Sequence, residues 1–202
     1  METIESILEF WFGTDPDDQV TAKQQGKLWW QKRDDTDAMI LQRFGSYVQE
    51  AASGVLEPWT ASPEGLLALI ILTDQFPRNM YRETPQSFAF DHQARAWCKQ
   101  GLAAGMDLTL RPIQKVFFYL PLEHSESLAD QEQSVQLFSG LAAADIDNGQ
   151  QKSQTFTGYV DYATRHRDII ARFGRFPHRN RILGRISTVE ETAFLQEKGS
   201  SF

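Results

Sequence analysis

The sequence predicts an all-α fold, and three observations carry this prediction. The chain of 202 residues contains 18 alanines and 18 leucines but only seven valines. Alanine and leucine lose little freedom in a helix, whereas β-branched residues such as valine favour strands. The long segments repeat their apolar residues at the 3.6-residue spacing of a helix, and none alternates as a strand does. Three apolar segments also open with a residue pair typical of a helix start: Ser62-Pro63, Thr84-Pro85 and Arg111-Pro112.

The bounds of the predicted helices follow from residues that stop or start a helix. Gly13 ends the first predicted helix, and Gly174 ends the helix that precedes it. Pro77 and Pro121 disfavour helical geometry in the residue before them, so we expect a helix to end ahead of each. The stretch Ser187-Thr188-Val189-Glu190 matches the capping box that begins a helix. We therefore expect about nine helices, at 4–12, 19–31, 36–53, 63–76, 85–104, 112–119, 127–147, 154–173 and 188–198.

The chain shows no internal domain boundary. No stretch rich in Gly, Ser or Pro divides it, and it contains no tract of low complexity. We therefore predict a single all-helical domain over residues 1–202. The helix lengths fit stacked antiparallel helical hairpins of the tetratricopeptide-like kind, although no clean 34-residue repeat is present.

Composition and motifs exclude several classes of protein. The single cysteine, Cys98, excludes an intramolecular disulfide and a multi-cysteine zinc site. The first residues lack the basic and apolar regions of a secretory signal, and the longest apolar run has seven residues, where a bilayer span needs about 20. No phosphate loop, dinucleotide fingerprint or serine elbow is present. We therefore expect a soluble, cytoplasmic protein with no cofactor and no membrane contact.

Positive charge is concentrated in one segment of an acidic chain. The formal net charge is −7, yet residues 165–185 contain seven of the 13 arginines, no lysine and one acid, Asp168. A guanidinium group binds carboxylate or phosphate through two hydrogen bonds at once, which an ammonium group cannot do. Two interpretations fit this segment. Either the arginines pair with the chain's own acids as an intramolecular strap, or they form a wall that binds an anion.

Three polar stretches beside apolar helices are candidates for a site. Phe76-Pro77-Arg78-Asn79 and Phe176-Pro177-His178-Arg179-Asn180 share an Arg-Asn pair. They are either two arms of one pocket or two helix ends built from the same turn residues. The stretch 121–126 follows an apolar segment and contains His124 and Glu126. These two residues form either an acid–base pair or part of the N-terminal cap of the next helix.

The candidate residues are the histidines, arginines and neighbouring polar residues of these stretches. An unperturbed histidine titrates near neutral pH and is therefore suited to proton transfer. Metal binding is disfavoured, because no HExxH or comparable spacing is present. Candidate proton-transfer residues are His124, Glu126, His166 and His178. Candidate ligand-binding residues are Asp74, Arg78, Asn79, Arg82, Arg111, Arg172, Arg175, Arg179 and Asn180.

With these stretches assembled, the whole chain resembles a bacterial family of unknown function with tetratricopeptide-like helices. The resemblance is carried by residues 7–13, 72–79, 118–126 and 172–180, which include the Asp-Gln-Phe-Pro-Arg-Asn and Arg-Phe-Gly-Arg-Phe-Pro-His-Arg-Asn runs. It implies a fold of stacked helical hairpins and implies no reaction.

Two functions from different classes fit the sequence. The first is a pocket, with or without catalysis, that binds a small phosphate ester or carboxylate where residues 74–82, 111–126 and 165–180 meet. The second is a helical scaffold that binds a protein or peptide and has no catalytic activity. Nucleic-acid binding is disfavoured, because the chain is acidic outside one segment. A pocket requires the named side chains to converge, whereas a scaffold spreads them over a surface.

Overall fold

A computed structural model describes residues 1–144 and 154–200, and over these residues it contains helices and no strand. The all-α prediction is therefore confirmed. The α-helices are α1 (Ile4–Phe12), α2 (Asp18–Trp30), α3 (Asp34–Ala52), α4 (Pro63–Ile70), α5 (Phe76–Met80), α6 (Asp91–Ala103), α7 (Pro112–Glu123), α8 (Leu128–Ala144), α9 (Gln154–Phe173) and α10 (Val189–Phe194). A π-helical turn joins α4 to α5, so the described residues form nine helical rods. The predicted extension of α8 to residue 147 lies outside the described residues.

Helices that follow one another in the chain pack against one another. The pairs α6–α7, α7–α8 and α8–α9 are in contact, and α4 packs against α1, α6 and α7. This arrangement is compatible with stacked hairpins, and the tetratricopeptide-like form of the stack stays a prediction. In the part of the chain that the structure describes, no helix is both long enough and apolar enough to cross a membrane.

One hydrophobic core runs from α1 to α9. Its largest fully buried side chains include Trp11, Phe44 and Phe117. The rings of Trp11 and Phe117 meet edge to face at 5.4 Å, a favourable geometry for aromatic pairs. A separate small cluster of Ile169, Ile170 and Phe176 anchors the arginine-rich segment. The prediction of one domain over residues 1–202 stays a prediction.

The prediction that Pro77 ends the fourth helix is wrong. The rod continues from α4 through the π-helical turn Ile71–Gln75 into α5, which contains Pro77. Proline lacks an N–H group and collides with the carbonyl group four residues earlier in a regular α-helix. In the π turn the N–H of Phe76 donates to the carbonyl of Ile71, five residues back. We infer that this wider turn accommodates the proline ring, and it leaves Asp74 inside the rod.

The prediction that the sixth helix stops before Pro121 is also wrong. Helix α7 runs to Glu123 with Pro121 inside it. Proline has a backbone φ angle suited to a helix, and here it lies in the last turn, where few hydrogen bonds follow it. Leu120 and Leu122 on either side are buried in the core, and this packing favours the helical continuation. As a result, Glu123 belongs to the helix and His124 is its C-cap residue.

Two predicted helix starts are displaced. Residues Pro85–Phe88 form a short 3₁₀ turn, and α6 begins only at Asp91. The capping box of α10 is formed by Thr188 and Glu191, one residue later than predicted. Glu191 is held there because its carboxylate also binds Arg175.

Candidate functional site

A group of buried or half-buried polar side chains lies where the π turn, the end of α7, the middle of α9 and the segment after Gly174 meet. Sequence reasoning singled out most of these residues from distant parts of the chain, and folding places them side by side. We call this group the buried polar cluster, and its members are Asp74, Arg78, Asp91, Glu123, His124, His166, His178 and Arg179.

Asp74 and His124 form the first pair of the buried polar cluster. The Asp74 side chain is fully buried, and its Oδ1 atom lies 2.8 Å from Nδ1 of His124. Burial alone would raise the pKa of Asp74, but the charge of Arg78 and the hydrogen bonds from His124 and Gln75 lower it to about 2. An ionised carboxylate only accepts hydrogen bonds, so Nδ1 of His124 is the donor. The other ring nitrogen, Nε2, then carries the lone pair when the ring is neutral.

Arg78 and Arg179, from the two Arg-Asn motifs, meet at Asp91. Arg78 donates two hydrogen bonds to the carboxylate of Asp91, at 2.8 and 2.9 Å. The Nη1 atom of Arg179 lies 3.6 Å from the same carboxylate. The structure therefore brings the arginines of both motifs to one place, whereas their asparagines point elsewhere.

Arg179 lies beside two aromatic rings. Its guanidinium carbon lies 4.7 Å from the centre of the Phe88 ring and 4.5 Å from that of Phe176. Both distances are within the range of cation–π attraction. The residue is 6 % exposed, and its Nη1 donates to the carbonyl oxygen of His124 at 3.1 Å. Burial and the nearby charge of Arg78 lower the pKa of Arg179 to about 10, so the side chain is a buried cation at neutral pH.

Glu123 and His166 form a second carboxyl–imidazole pair. The Oε1 atom of Glu123 lies 3.3 Å from Nδ1 of His166, which also contacts the carbonyl oxygen of Tyr162 at 2.9 Å. Because a carbonyl oxygen only accepts, Nδ1 of His166 is a donor. The rings of His166 and His124 are 6.5 Å apart between centres.

The imidazoles of the buried polar cluster are neutral near pH 7. Burial lowers the pKa of His166 to about 3 and that of half-buried His178 to about 4. Burial and the charge of Arg78 also lower the pKa of His124. On Glu123, burial and the negative charge of Asp74 both disfavour the ionised carboxylate, so they raise the pKa of Glu123 to about 8.

We predict that Glu123→Gln becomes more stable relative to the wild type as pH rises from about 4.5 to 8. In this range the folded protein holds a proton on Glu123 that the unfolded chain has released, since the raised folded-state pKa is about 8. The wild type therefore loses stability with rising pH through this group, whereas glutamine cannot ionise. Urea unfolding measures the free energy of unfolding of both proteins at pH 5 and at pH 8. The free energy of Glu123→Gln relative to the wild type should be higher at pH 8 than at pH 5 by more than ~1.4 kcal/mol, the equivalent of one pKa unit. A pH-independent difference would show that Glu123 is ionised in the folded protein.

Comparison with known proteins shows the family to which the chain belongs. The family described as "Bacterial protein of unknown function (DUF924)" matches residues 7–199. The chain belongs to this family. A solved structure, described as a protein of unknown function, ATU0120, from Agrobacterium tumefaciens, is 34 % identical and covers 96 % of each chain at a TM-score of 0.80. No curated protein matches the chain. The resemblance to a bacterial family of unknown function is confirmed.

In this DUF924 protein several candidate arginines are not brought to the buried polar cluster. Arg111 lies at the start of α7, and the α-helix rise of about 1.5 Å per residue places it almost 20 Å from His124. Each of these arginines instead binds one of the chain's own acids, as the strap interpretation expects. The pairs are Arg82 with Asp37, Arg111 with Asp18, Arg172 with Glu190 and Arg175 with Glu191. Arg185, which lies in the arginine-rich segment but was not a candidate, pairs with Glu126.

Three further candidates also have structural contacts outside the cluster. Asn79 donates to Asp37, and Asn180 donates to Ser187 and Glu191. Glu126 accepts hydrogen bonds from Arg185 and from the backbone N–H of Phe176. Glu126 therefore connects the segment that carries Arg179 to the start of α8. Within the described residues, it forms no hydrogen bond with His124.

Sequence reasoning missed three residues in or beside the buried polar cluster: Asp91, Glu123 and Phe88. Glu123 precedes His124 in the polar stretch 121–126. Because an acid next to a candidate base is itself a candidate, this position could have identified Glu123. Asp91 and Phe88 carried no such signal, because the region 85–104 was expected to be one helix. The 3₁₀ turn Pro85–Phe88 and the later start of α6 at Asp91 place both residues against the arginines.

Two depressions of the surface lie away from the buried polar cluster. One of about 400 Å³ is lined by the first residues of the chain with Tyr47 and Trp59. The other, of about 340 Å³, is lined by Arg172, Arg175 and their acidic partners. Neither is lined by a residue of the cluster, which is itself largely closed to solvent. Over residues 1–144 and 154–200, no group of three or more His, Cys, Asp or Glu side chains is arranged to hold a metal ion.

Proposed function

We propose that this DUF924 protein binds a small anion, a carboxylate or a phosphate ester, at Arg179 of the buried polar cluster. His124, oriented by Asp74, exchanges a proton with the bound molecule. The proposal keeps six of the candidate residues from the sequence: Asp74, Arg78, His124, His166, His178 and Arg179.

One observation carries this proposal, the incomplete pairing of Arg179. A buried cation normally needs a hydrogen-bonded counter-ion, because its desolvation is otherwise uncompensated. Arg179 is 6 % exposed, yet within the described residues it donates no hydrogen bond to a carboxylate, and its Nε has no hydrogen-bond partner. The carboxylate of Asp91, 3.6 Å away, already accepts two hydrogen bonds from Arg78. By contrast Arg82, Arg111, Arg175 and Arg185 each donate two hydrogen bonds to one carboxylate.

The proton-transfer part of the proposal is supported by the Asp74–His124 pair. A carboxylate that accepts from Nδ1 holds an imidazole in one tautomer and orients its other nitrogen as a base. His124 is close to Arg179, since its carbonyl oxygen accepts from Nη1 of that residue at 3.1 Å. Its side chain is 15 % exposed, so the ring is partly accessible to a small molecule.

We predict that acetate or inorganic phosphate stabilises the protein against heat, relative to chloride at equal ionic strength. An anion that binds only the folded state adds about 2.7 kcal/mol of stability at 100 times its dissociation constant. Arg179→Lys is expected to abolish this stabilisation while leaving the fold intact, because an ammonium group cannot form the two-pronged contact. Differential scanning calorimetry with each anion measures the effect.

Arg172→Lys is the matched control for this experiment. Arg172 carries the same side chain in the same segment, but it is exposed and paired with Glu190, so its replacement should leave anion stabilisation unchanged. Two results would contradict the proposal. One is that neither anion stabilises the wild type beyond chloride. The other is that Arg179→Lys fails to fold, which would make Arg179 a structural cation of the strap.

The alternative function, a protein-binding scaffold, has one observation in its favour. Ile186, which precedes α10, and Val189, its first residue, are each 90 % exposed. Exposed apolar side chains close together are typical of interaction surfaces. Replacing both with serine should leave anion stabilisation unchanged if the two surfaces are separate. Loss of that stabilisation in the double variant would place the anion site on this surface and contradict the proposal.

A further inference from the structure

Residues 175–185 lie against the buried polar cluster on one side and face solvent on the other. On the inner side, the ring of Phe176 is 5.5 Å from that of His166 between centres, and Nη1 of Arg179 donates to the carbonyl oxygen of His124. Phe176 and Arg179 are both buried. The segment is therefore part of the wall that separates the cluster from solvent. Its exposed residues are Arg181, Leu183 and Gly184.

One carboxylate, that of Glu126, holds both ends of this segment. Its Oε1 atom accepts from the backbone N–H of Phe176 at 2.9 Å, and the carboxylate accepts two hydrogen bonds from Arg185, at 2.7 and 2.9 Å. Arg185 also donates to the carbonyl oxygen of Phe176 at 3.1 Å, so the two ends of the segment meet. Glu126 itself lies between α7 and α8, outside the segment. Hydrogen bonds between ionised groups are stronger than those between neutral groups, which makes Glu126 a major attachment of the segment.

The segment has little share in the main hydrophobic core. In the part of the chain that the structure describes, its one contribution to a hydrophobic cluster is Phe176, which belongs with Ile169 and Ile170 to the small cluster apart from the core of α1 to α9. Gly174, just before the segment, and Gly184, near its end, have φ angles of +68° and +65°, which glycine adopts readily. Compact surface loops whose ends meet and which bury few apolar side chains open more easily than a core does. The segment can therefore move away while the main core stays intact.

We propose that residues 175–185 form a lid that opens by local unfolding while the main core stays folded, and that Glu126 is its latch. With the lid closed, Nε of Arg179 has almost no exposed surface, so an anion cannot reach it. Because Arg179 belongs to the lid, opening brings it to solvent and uncovers His124 and His166. The role of the lid in admitting an anion rests on the proposed function, whereas the opening itself does not.

Hydrogen exchange of the backbone amides, followed by NMR on the full chain with no acetate or phosphate present, tests the opening. The N–H groups of Asn180, Leu183 and Arg185 donate to carbonyl oxygens within the lid, so they exchange when the lid opens. We expect them to exchange at least tenfold faster than the slowest amides of α4, with a weaker dependence on urea, because opening exposes less surface than global unfolding does. Equal rates and equal urea dependence would show that the lid opens only when the whole protein unfolds, and would overturn the proposal.

Ile40→Val separates local opening from global unfolding. Ile40 is fully buried in α3, and a substitution of this kind usually lowers the free energy of unfolding. It should speed exchange of the slowest α4 amides several-fold and leave the lid amides at their wild-type rates, because residue 40 keeps its contacts when the lid alone opens. Lid amides that accelerate together with those of α4 would contradict local opening.

Glu126→Gln tests the latch. Glutamine keeps the shape of the side chain but lacks its charge, so the lid amides should exchange at least tenfold faster than in the wild type, since the hydrogen bonds from Arg185 lose their charged acceptor. Arg185→Gln should have the same effect from the other side of the pair. Glu83→Gln is the matched control, because Glu83 pairs with Arg181 of the lid at the protein surface, where an ion pair adds little stability. Lid rates that change no more in Glu126→Gln than in Glu83→Gln would overturn the role of Glu126.

The outcomes separate this inference from the proposed function. A lid that opens only with the whole protein overturns the inference, whether or not acetate stabilises the wild type. Lid amides that exchange by local opening, in a protein that neither acetate nor phosphate stabilises beyond chloride, retain the lid and overturn the proposed function.

Discussion

Replacing Asp74 with alanine is expected to lower the free energy of unfolding by about 3–5 kcal/mol, the usual cost of breaking a buried ion pair from one side. The Asp74 side chain is fully buried and accepts hydrogen bonds from Gln75 and His124, and Arg78 lies 3.2 Å from it. Its removal leaves the amide and the imidazole without their acceptor in the protein interior. Urea unfolding at pH 7 measures the loss.

The matched control for Asp74→Ala is Asp168→Ala. Asp168 also contacts an arginine, Arg167, but its side chain is 62 % exposed, so its removal should change stability by no more than about 0.5 kcal/mol. An Asp74→Ala variant as stable as this control would show that Asp74 is not an ion-paired carboxylate of the interior.

The stabilisation by Asp74 should also disappear in acid. The pKa of Asp74 in the folded protein is lowered to about 2 from an ordinary 3.8. A carboxyl group whose pKa is lower in the folded protein than in the unfolded chain stabilises the fold at pH values above its unfolded-state pKa. This stabilisation is lost as pH falls through the folded-state pKa. The stability difference between wild type and Asp74→Ala should therefore be largest above about pH 5 and shrink progressively as pH falls from about 5 through 2.

Gly65→Ala is expected to destabilise the protein by about 3 kcal/mol, at the upper end of the cost of overpacking a core. A Cβ atom on Gly65 would lie 2.0 Å from the carbonyl oxygen of Trp59 and 2.9 Å from Oγ of Ser62. The first of these is a backbone atom, so α4 itself would have to move away from the turn before it. Thermal unfolding of the variant measures the loss.

Gly140→Ala supplies the control for this substitution. Gly140 lies within α8, and nothing within 4 Å would contact an added Cβ atom. Alanine there should raise stability by roughly 0.5–1 kcal/mol, because glycine is the poorer helix former. Equal effects of the two substitutions would mean that the close approach of α4 to Trp59 is not present in solution.

The sequence was sufficient to predict the helical class and the apolar faces, because both depend on local spacing. The stripe of Ile40, Phe44 and Val48 is an example, since all three side chains are fully buried in α3. Its spacing alone determined which side of the helix is apolar. By contrast, the π turn before Pro77 was not predictable. Proline normally ends a helix, and here the surrounding core favours a continuous rod with one widened turn.

The candidate site was predicted only in part, because the partner of an arginine depends on contacts between distant segments. Arg111 and Asp18, which form an ion pair, are separated by 93 positions in the chain, and no local pattern links them. The two Arg-Asn motifs were the useful signal, since Arg78 and Arg179 do meet at Asp91. Glu126 was assigned to the site from its nearness to His124 in the sequence, yet folding directs it to Arg185.

The most direct test of anion binding is the ¹H–¹⁵N resonance of the Arg179 side-chain Nε–H group, assigned by its loss in Arg179→Lys. The Nε atom of Arg175, which donates to Glu191 at 2.6 Å, is the internal control. On addition of sodium acetate the Arg179 resonance should shift and saturate, while that of Arg175 stays in place. An Arg179 resonance that does not move with acetate or phosphate beyond the change seen with chloride would contradict the account.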